Sequence, residues 1–192
     1  MWNSRLTTAE LEFLLGGEKQ WPVQREAMGL SPELADTVRP FGASSLVARE
    51  LARVDGDDLI VDDEVVSAAI RITRAADQWA LASAEGNDLS LATFLTGDEG
   101  RDRTLVSAVA PGVYRIDPLR AEGDVSEQIA DMVLEMAESG ERVVTVGYVE
   151  VVEQVRCVDG TWSSKDAPDA PFLPITRAGL RESLIGLSVW GR

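Results

Sequence analysis

The apolar residues of this chain change from helical to alternating spacing near residue 76, and that change limits the folds open to it. Up to about residue 76 they recur at helical spacing, as in Leu46, Val47, Leu51 and Val54 and again from Val65 to Ala76. Beyond that point the pattern alternates, with Trp79, Leu81 and Ser83 on one side, then Leu89, Leu91, Thr93 and Leu95, then Leu105 to Val109, then Val113 to Ile116 after Pro111-Gly112. Short alternating runs with turn residues between them read as antiparallel strands. We therefore expect one domain over 1–192, helical over about 1–76 and built of strands and helices over about 77–192. At this length one core can be buried without disulfides.

Boundary signals divide the chain further. Thr7-Thr8-Ala9-Glu10 fits a capping box, and Leu6, Leu11, Phe13, Leu14 and Leu15 lead to the Gly16-Gly17 stop, so a short helix is predicted there. Ser31-Pro32-Glu33 starts a second helix, which Pro40 is expected to end. A further helical run is read from Ala43 to Val54, followed by a turn at Asp55-Gly56-Asp57, a strand over Leu59 to Val61, and a helix from Val65 to Ala76 with Asp62, Asp63 and Glu64 at its start. Asp124-Val125-Ser126-Glu127 opens another helix, with Ile129, Met132, Val133 and Met136 as its apolar face and Gly140 as its end. A strand block from Arg142 to Val158 is expected to break near Glu150, turn at Asp159-Gly160 and resume over Thr161 to Ser163. Ser164 to Pro171 reads as a mobile loop, and Thr176 begins a last helix with Leu180, Leu184, Ile185 and Leu187. Turn, aromatic strand, Pro-aliphatic pair and helix occur twice, from Pro111 through Pro118 and from Asp159 through Pro174, which suggests two similar strand-and-helix units.

Composition narrows the function. Against 18 Lys plus Arg stand 33 Asp plus Glu, a formal charge of −15, which repels phosphate backbones and anionic lipid. The chain has no histidine, so Ser-His-Asp and Cys-His mechanisms and His-ligated metals are excluded. Its one cysteine, Cys157, cannot form an intramolecular disulfide and alternates with Val155 as a small buried hydrophobe. Met1 to Leu15 does not have the form of a secretory signal, and no apolar run approaches the ~18 residues of a spanning helix, so a cytoplasmic location without membrane insertion is expected.

Each candidate for chemistry has a plainer account. Asp55, Asp57, Asp58, Asp62, Asp63 and Glu64 are hard oxygen ligands at close spacing, but their order does not match an EF-hand, and they read as a solvated turn plus helix-start charges. The pairs Asp98 with Glu99 and Glu150 with Glu153 have nothing to orient them as an acid and a base. Gly97-Asp98-Glu99-Gly100-Arg101 lacks the Lys-Ser or Lys-Thr of a phosphate loop. Arg39, Arg49, Arg53, Arg71 and Arg74 sit in a helix, strand, helix order that winged-helix DNA binders share, yet acids interleave with them, and nucleic acid is not expected as a partner. Trp79 and Trp162 are read as core, whereas Trp2, Trp21 and Trp190 are candidates for partner contacts. No residue is assigned as catalytic, cofactor-binding or metal-ligating.

Leu6 to Leu11, the stretch from Leu46 to Leu51, and Val54 to Asp62 resemble the opening helix and the helix, turn and short strand of the EspG-like family, the actinobacterial ESX (type VII) secretion-associated chaperones. Arg103 to Val106, Gly112 to Ile116 and the helix around Ile129 are similar to that family's strand meander and following helix. Family members are longer. The resemblance implies an α+β fold with a central antiparallel sheet flanked by helices. It also implies a non-enzymatic role, binding a helical secretion substrate in the cytoplasm until export. Two readings of other classes stand beside it, an acidic mimic or inhibitor of a basic protein and a small carboxylate-based enzyme or ligand-binding domain.

Overall fold

The computed structural model describes residues 5–18, 21, 25, 26, 28, 30, 32–85, 88–140, 142–148, 151–167 and 169–190. Among these, five α-helices accompany a large antiparallel sheet and a separate two-stranded one, an α+β fold. The helices are α1 (Thr8–Leu15), α2 (Pro32–Ala48), α3 (Asp63–Thr73), α4 (Val125–Glu138) and α5 (Arg177–Trp190). The strands are β1 (Arg5–Thr7), β2 (Ala52–Asp55), β3 (Asp58–Val61), β4 (Asp77–Glu85), β5 (Asp88–Thr96), β6 (Thr104–Ala110), β7 (Val113–Pro118), β8 (Val143–Tyr148), β9 (Val151–Val158), β10 (Thr161–Lys165) and β11 (Leu173–Pro174). The large sheet runs β1-β7-β6-β5-β4-β8-β9-β10-β11, and β2 pairs with β3 alone. Packing divides the chain into two compact units, one made of 1–77 and 93–120, the other of 78–92 and 121–192. No helix among the described residues is long and apolar enough to cross a membrane.

In the first unit, the capping box forms as the sequence predicts. Glu10 N donates to Thr7 Oγ1 at 3.3 Å, and Thr7 N donates to Glu10 Oε2 at 2.8 Å. Leu6, Leu11, Leu15, Leu46, Val65 and Ile72 make the centre of this core. Pro40 does not end the second helix. It lies inside α2 on the solvent side, beside Phe41 at 65% exposure, where the Asp36 carbonyl that loses its N–H partner can bond water.

The helix expected as far as Val54 stops at Ala48. Leu51 N donates to Leu46 O at 2.8 Å and Glu50 N to Val47 O at 3.0 Å, the two bonds of a Schellman cap, with Leu46 and Leu51 both buried. The left-handed position of this cap, φ +58°, is held by Glu50 and not by glycine, which is why no stop signal was visible. The chain then forms a hairpin, with Ala52 opposite Val61 and Asp55 opposite Asp58, turning at Gly56 with φ +64°. The expected turn and Leu59 to Val61 strand are therefore present, with β2 as an added partner. β1, pairing Leu6 with Tyr114, was also not foreseen.

In the second unit, Trp79, Leu81 and Ser83 of β4 are buried in alternation, and the Trp79 ring lies 4.4 Å from that of Tyr148. Asp124 caps α4 by accepting from Ser126 N at 2.8 Å. The buried face of α4 is Ile129, Ala130, Val133, Leu134 and Ala137, with Met132 and Met136 only half-buried. The face is thus rotated from the predicted one, because alanines fill the close approach. The expected strand break falls between Tyr148 and Val151, with Glu150 outside the described residues, and the Asp159-Gly160 turn forms with both residues at positive φ. Ser164 and Lys165 belong to β10, so the irregular segment starts at Asp166. Thr176 Oγ1 accepts from Gly179 N at 3.0 Å to start α5, whose Leu180, Leu184 and Leu187 are buried while Ile185 is half-buried. Cys157 is half-buried near the strand end, more open than expected. Of the two similar sequence segments, the first puts its strand β7 in one unit and its helix α4 in the other, whereas the second lies within one unit.

Two substitutions test this packing. A Cβ at Gly42 would fall inside contact distance of the Ala9 carbonyl and Phe13 Cβ, neither of which is a flexible chain end. Gly42→Ala should therefore destabilise by ~1–3 kcal/mol in urea unfolding, despite the gain of about 1 kcal/mol in helix propensity. Glu50→Gly should stabilise by about 1 kcal/mol in the same measurement, because it relieves the left-handed cap of its side chain.

Candidate functional site

Side chains of β9 alternate between the two faces of the sheet, which places Glu153 on the same side as Val155 while Val152 and Arg156 point the other way. Glu153 is 6% exposed, a carboxyl group where the strand pattern calls for a hydrophobe. β10 pairs alongside β9, with Ser164 opposite Val155, and β11 pairs with β10, with Leu173 opposite Ser164. α5 packs on β9 from above and brings Ser183 Oγ to 3.0 Å from Glu153 Oε2, to which it donates. Between these elements lies a cleft of about 650 Å³, lined among others by Val151, Glu153, Leu173, Ile175, Ser183 and Leu187. This volume is within the usual range of binding clefts.

The carboxyl group of Glu153 is held above its ordinary pKa. Burial is the main cause, opposed by hydrogen bonds from Ser183 and Ser164 and reinforced by the negative charge of Asp166. Lys165 also lines the cleft, but its ammonium lies 5.1 Å over the Phe172 ring, and the guanidinium of Arg156 lies 4.1 Å over the same ring. Arg156 Nε also donates to Ser163 Oγ at 3.0 Å. The cleft therefore offers a buried acceptor among apolar and polar lining residues, an arrangement suited to holding a hydrogen-bond donor.

The remaining sequence candidates lie elsewhere. Asp55, Asp57, Asp58, Asp62, Asp63 and Glu64 are all exposed, on the β2–β3 turn and the first turn of α3. Asp98 and Glu99 are exposed on a single 3₁₀ turn, where Glu99 pairs with Arg101. Glu150, the expected companion of Glu153, is outside the described residues. Arg49 pairs with buried Glu10 at 2.5 Å, Arg71 with Asp102 at 3.4 Å, and Arg39 donates to Gly16 O at 3.5 Å, while Arg53 and Arg74 are exposed. Trp79 and Trp162 are buried as expected. Trp21 is not a surface anchor: it is 2% exposed and donates from Nε1 to Glu12 Oε2 at 2.9 Å. Trp2 and the side chain of Trp190 are outside the described residues.

The importance of Glu153 was missed, although its register with Val155 and Cys157 was a readable sign of an inward carboxyl group. Because its pKa is raised on folding, the native state binds the proton more tightly than the unfolded chain does. Stability therefore falls as pH rises from the ordinary carboxylate value of 4.5 through the raised folded value. Glu153→Gln, which keeps the shape and an acceptor for Ser183, should flatten that fall, measured as the difference in urea midpoint between variant and parent across the window.

No family model matches the chain, and no curated protein matches it by sequence. Among solved structures it is similar to the Mycobacterium tuberculosis type VII secretion system chaperone EspG5, determined in complex with a PE25–PPE41 dimer. The TM-score is 0.51 at 11% identity, over 96% of this chain and 95% of that one, so what the two share is the fold, and the greater length expected of the family is not seen at this neighbour.

Proposed function

We propose that this chain is a non-enzymatic protein-binding chaperone or adaptor that holds a helical type VII secretion substrate in the cytoplasm before export. The observation that carries the reading is the fold likeness to a secretion chaperone over nearly the full length of both chains. The sequence resemblance of Leu6 to Leu11 and Val54 to Asp62 to the same family points the same way. The second unit supplies a contact surface, since Leu173 at 63% exposure carries apolar area outward beside the cleft. A chaperone of this kind needs apolar contact and a stable scaffold, not a nucleophile, and the chain has no histidine to activate one.

Affinity purification of the tagged chain from its native cells should recover a helical type VII substrate in stoichiometric amount, and the complex should survive high salt because apolar contact is not screened. Recovery of a basic partner that salt releases would favour an acidic mimic. No stable protein partner, together with a saturable rise in melting temperature on adding a small molecule or metal, would remove the chaperone reading.

A further inference from the structure

We infer that the Glu153 cleft seats one cationic side chain of a protein partner, an arginine or lysine whose aliphatic stem lies along the cleft walls and whose charge meets the buried carboxylate. The inference deepens the protein-binding reading above and rests on it. Its first support is charge. Glu153 is 6% exposed and opens into the cleft, its donors among the described residues are the uncharged hydroxyls of Ser183 and Ser164, and Asp166 adds a second negative charge at the lining. Among the described residues, Lys165, which lines the cleft, lies 5.1 Å over the Phe172 ring, and Arg156, on the other face of β9, lies 4.1 Å over the same ring. A carboxylate has about four acceptor positions, so two hydroxyl donors leave room for the fork of a guanidinium or for an ammonium.

The second support is the wall chemistry. Val151, Ile175 and Leu187 match the methylene stem of a long cationic side chain, which buries its carbons while its head finds a polar partner. The third is the rim. Leu173 at 63% exposure, on the Glu153 face of the sheet through its pairing with Ser164, continues the apolar surface out of the cleft, so its occupant covers more than the cavity, as a polypeptide segment does and a small amine does not. Strand addition is disfavoured as the docking mode, because β11 is two residues long and Pro174 has no N–H to offer a new strand. The partner is therefore read as docking through side chains, with apolar residues flanking the cation.

The test uses the intact chain, labelled with ¹⁵N, and an acetylated, amidated alanine-based helical peptide with one arginine flanked by leucines at helical spacing. A second peptide carries citrulline in place of arginine, the same shape without the charge. The arginine peptide should shift the amide resonances of Val152, Glu153, Leu173 and Ser183 and bind about tenfold or more tightly than the citrulline peptide, as a charge-assisted contact does over a neutral one. Glu153→Gln should bring the arginine peptide down to the affinity of the citrulline peptide and leave the latter unchanged. If that variant does not fold, the comparison of the two peptides on the parent chain still decides. Equal affinity of the two peptides, shifts confined to other residues, or an unaltered arginine preference in Glu153→Gln would overturn the inference. Pentylguanidinium binding as tightly as the peptide would overturn the protein source and leave a small-amine site. These outcomes are independent of whether native cells yield a secretion substrate, so failure of the cleft and failure of the chaperone reading are distinguishable.

Discussion

Of the two buried carboxylates of the first unit, Glu10 and Glu12, Glu10 is the one that ties several elements together. Glu10 has no exposed surface, and it accepts from Thr7 N at 2.8 Å, Ser45 Oγ at 2.7 Å and Arg49 Nη1 at 2.5 Å. Arg49 in turn donates to Arg5 O at 3.0 Å, so one side chain ties the start of α1, the far end of α2 and the β1 backbone. Burying such a charge costs several kcal/mol, and only a near-complete set of donors, each worth about 1.5–3 kcal/mol when one partner is charged, can offset it. That requirement restricts how α1 and α2 cross. Gly42 reflects it, since the helices approach so closely that a methyl group would meet the Ala9 carbonyl.

The second unit contains a carboxylate of comparable burial and opposite circumstances. Glu153 has hydroxyl donors from Ser183 and Ser164, with Asp166 opposing its ionisation. Where Glu10 pairs with Arg49, the donors to Glu153 among the described residues are hydroxyl groups, and its carboxyl group lines a cleft. The same chemical group thus has a cationic partner in one unit and, among the described residues, hydroxyl partners beside a cleft in the other. The surface acids have little share in either. Those from Asp55 to Glu64 lie in water at a turn and a helix start, where they contribute solubility and modest dipole stabilisation.

What could be read from the sequence was what depends on neighbours along the chain. The Thr7–Glu10 box, the Asp124 cap and the turns at Gly56 and Gly160 each need only a few adjacent residues, and all were legible. What escaped depends on distant partners, on which face meets solvent, or on a cap held by a residue other than glycine. Pro40 breaks a helix when its ring and missing N–H face protein, and water on the exposed side of α2 relaxes that penalty. The Schellman cap at Glu50 lacks the glycine that usually marks it. Ala130 and Ala137 carry no weight in a pattern of large hydrophobes, yet they set the face of α4. Trp21 looked like an anchor because its partner, Glu12, is identified only in three dimensions. Glu153 was half legible: strand parity put it inside, but only the fold shows that α5 leaves a cleft beside it.

The division of the chain into units has a consequence for how it can be made and cut. The change of period near residue 76 looks like a place to separate two halves, but the first unit also takes 93–120, and the second takes 78–92 before resuming at 121. The backbone crosses from one unit to the other three times, so neither is a contiguous stretch. A fragment ending at 77 would lack Leu95, Val106, Tyr114 and Ile116 from its core. On the ribosome, the first unit becomes complete only once β7 has emerged, by which time β4 has its sheet neighbour β5 but its other neighbour, β8, is still to be synthesised.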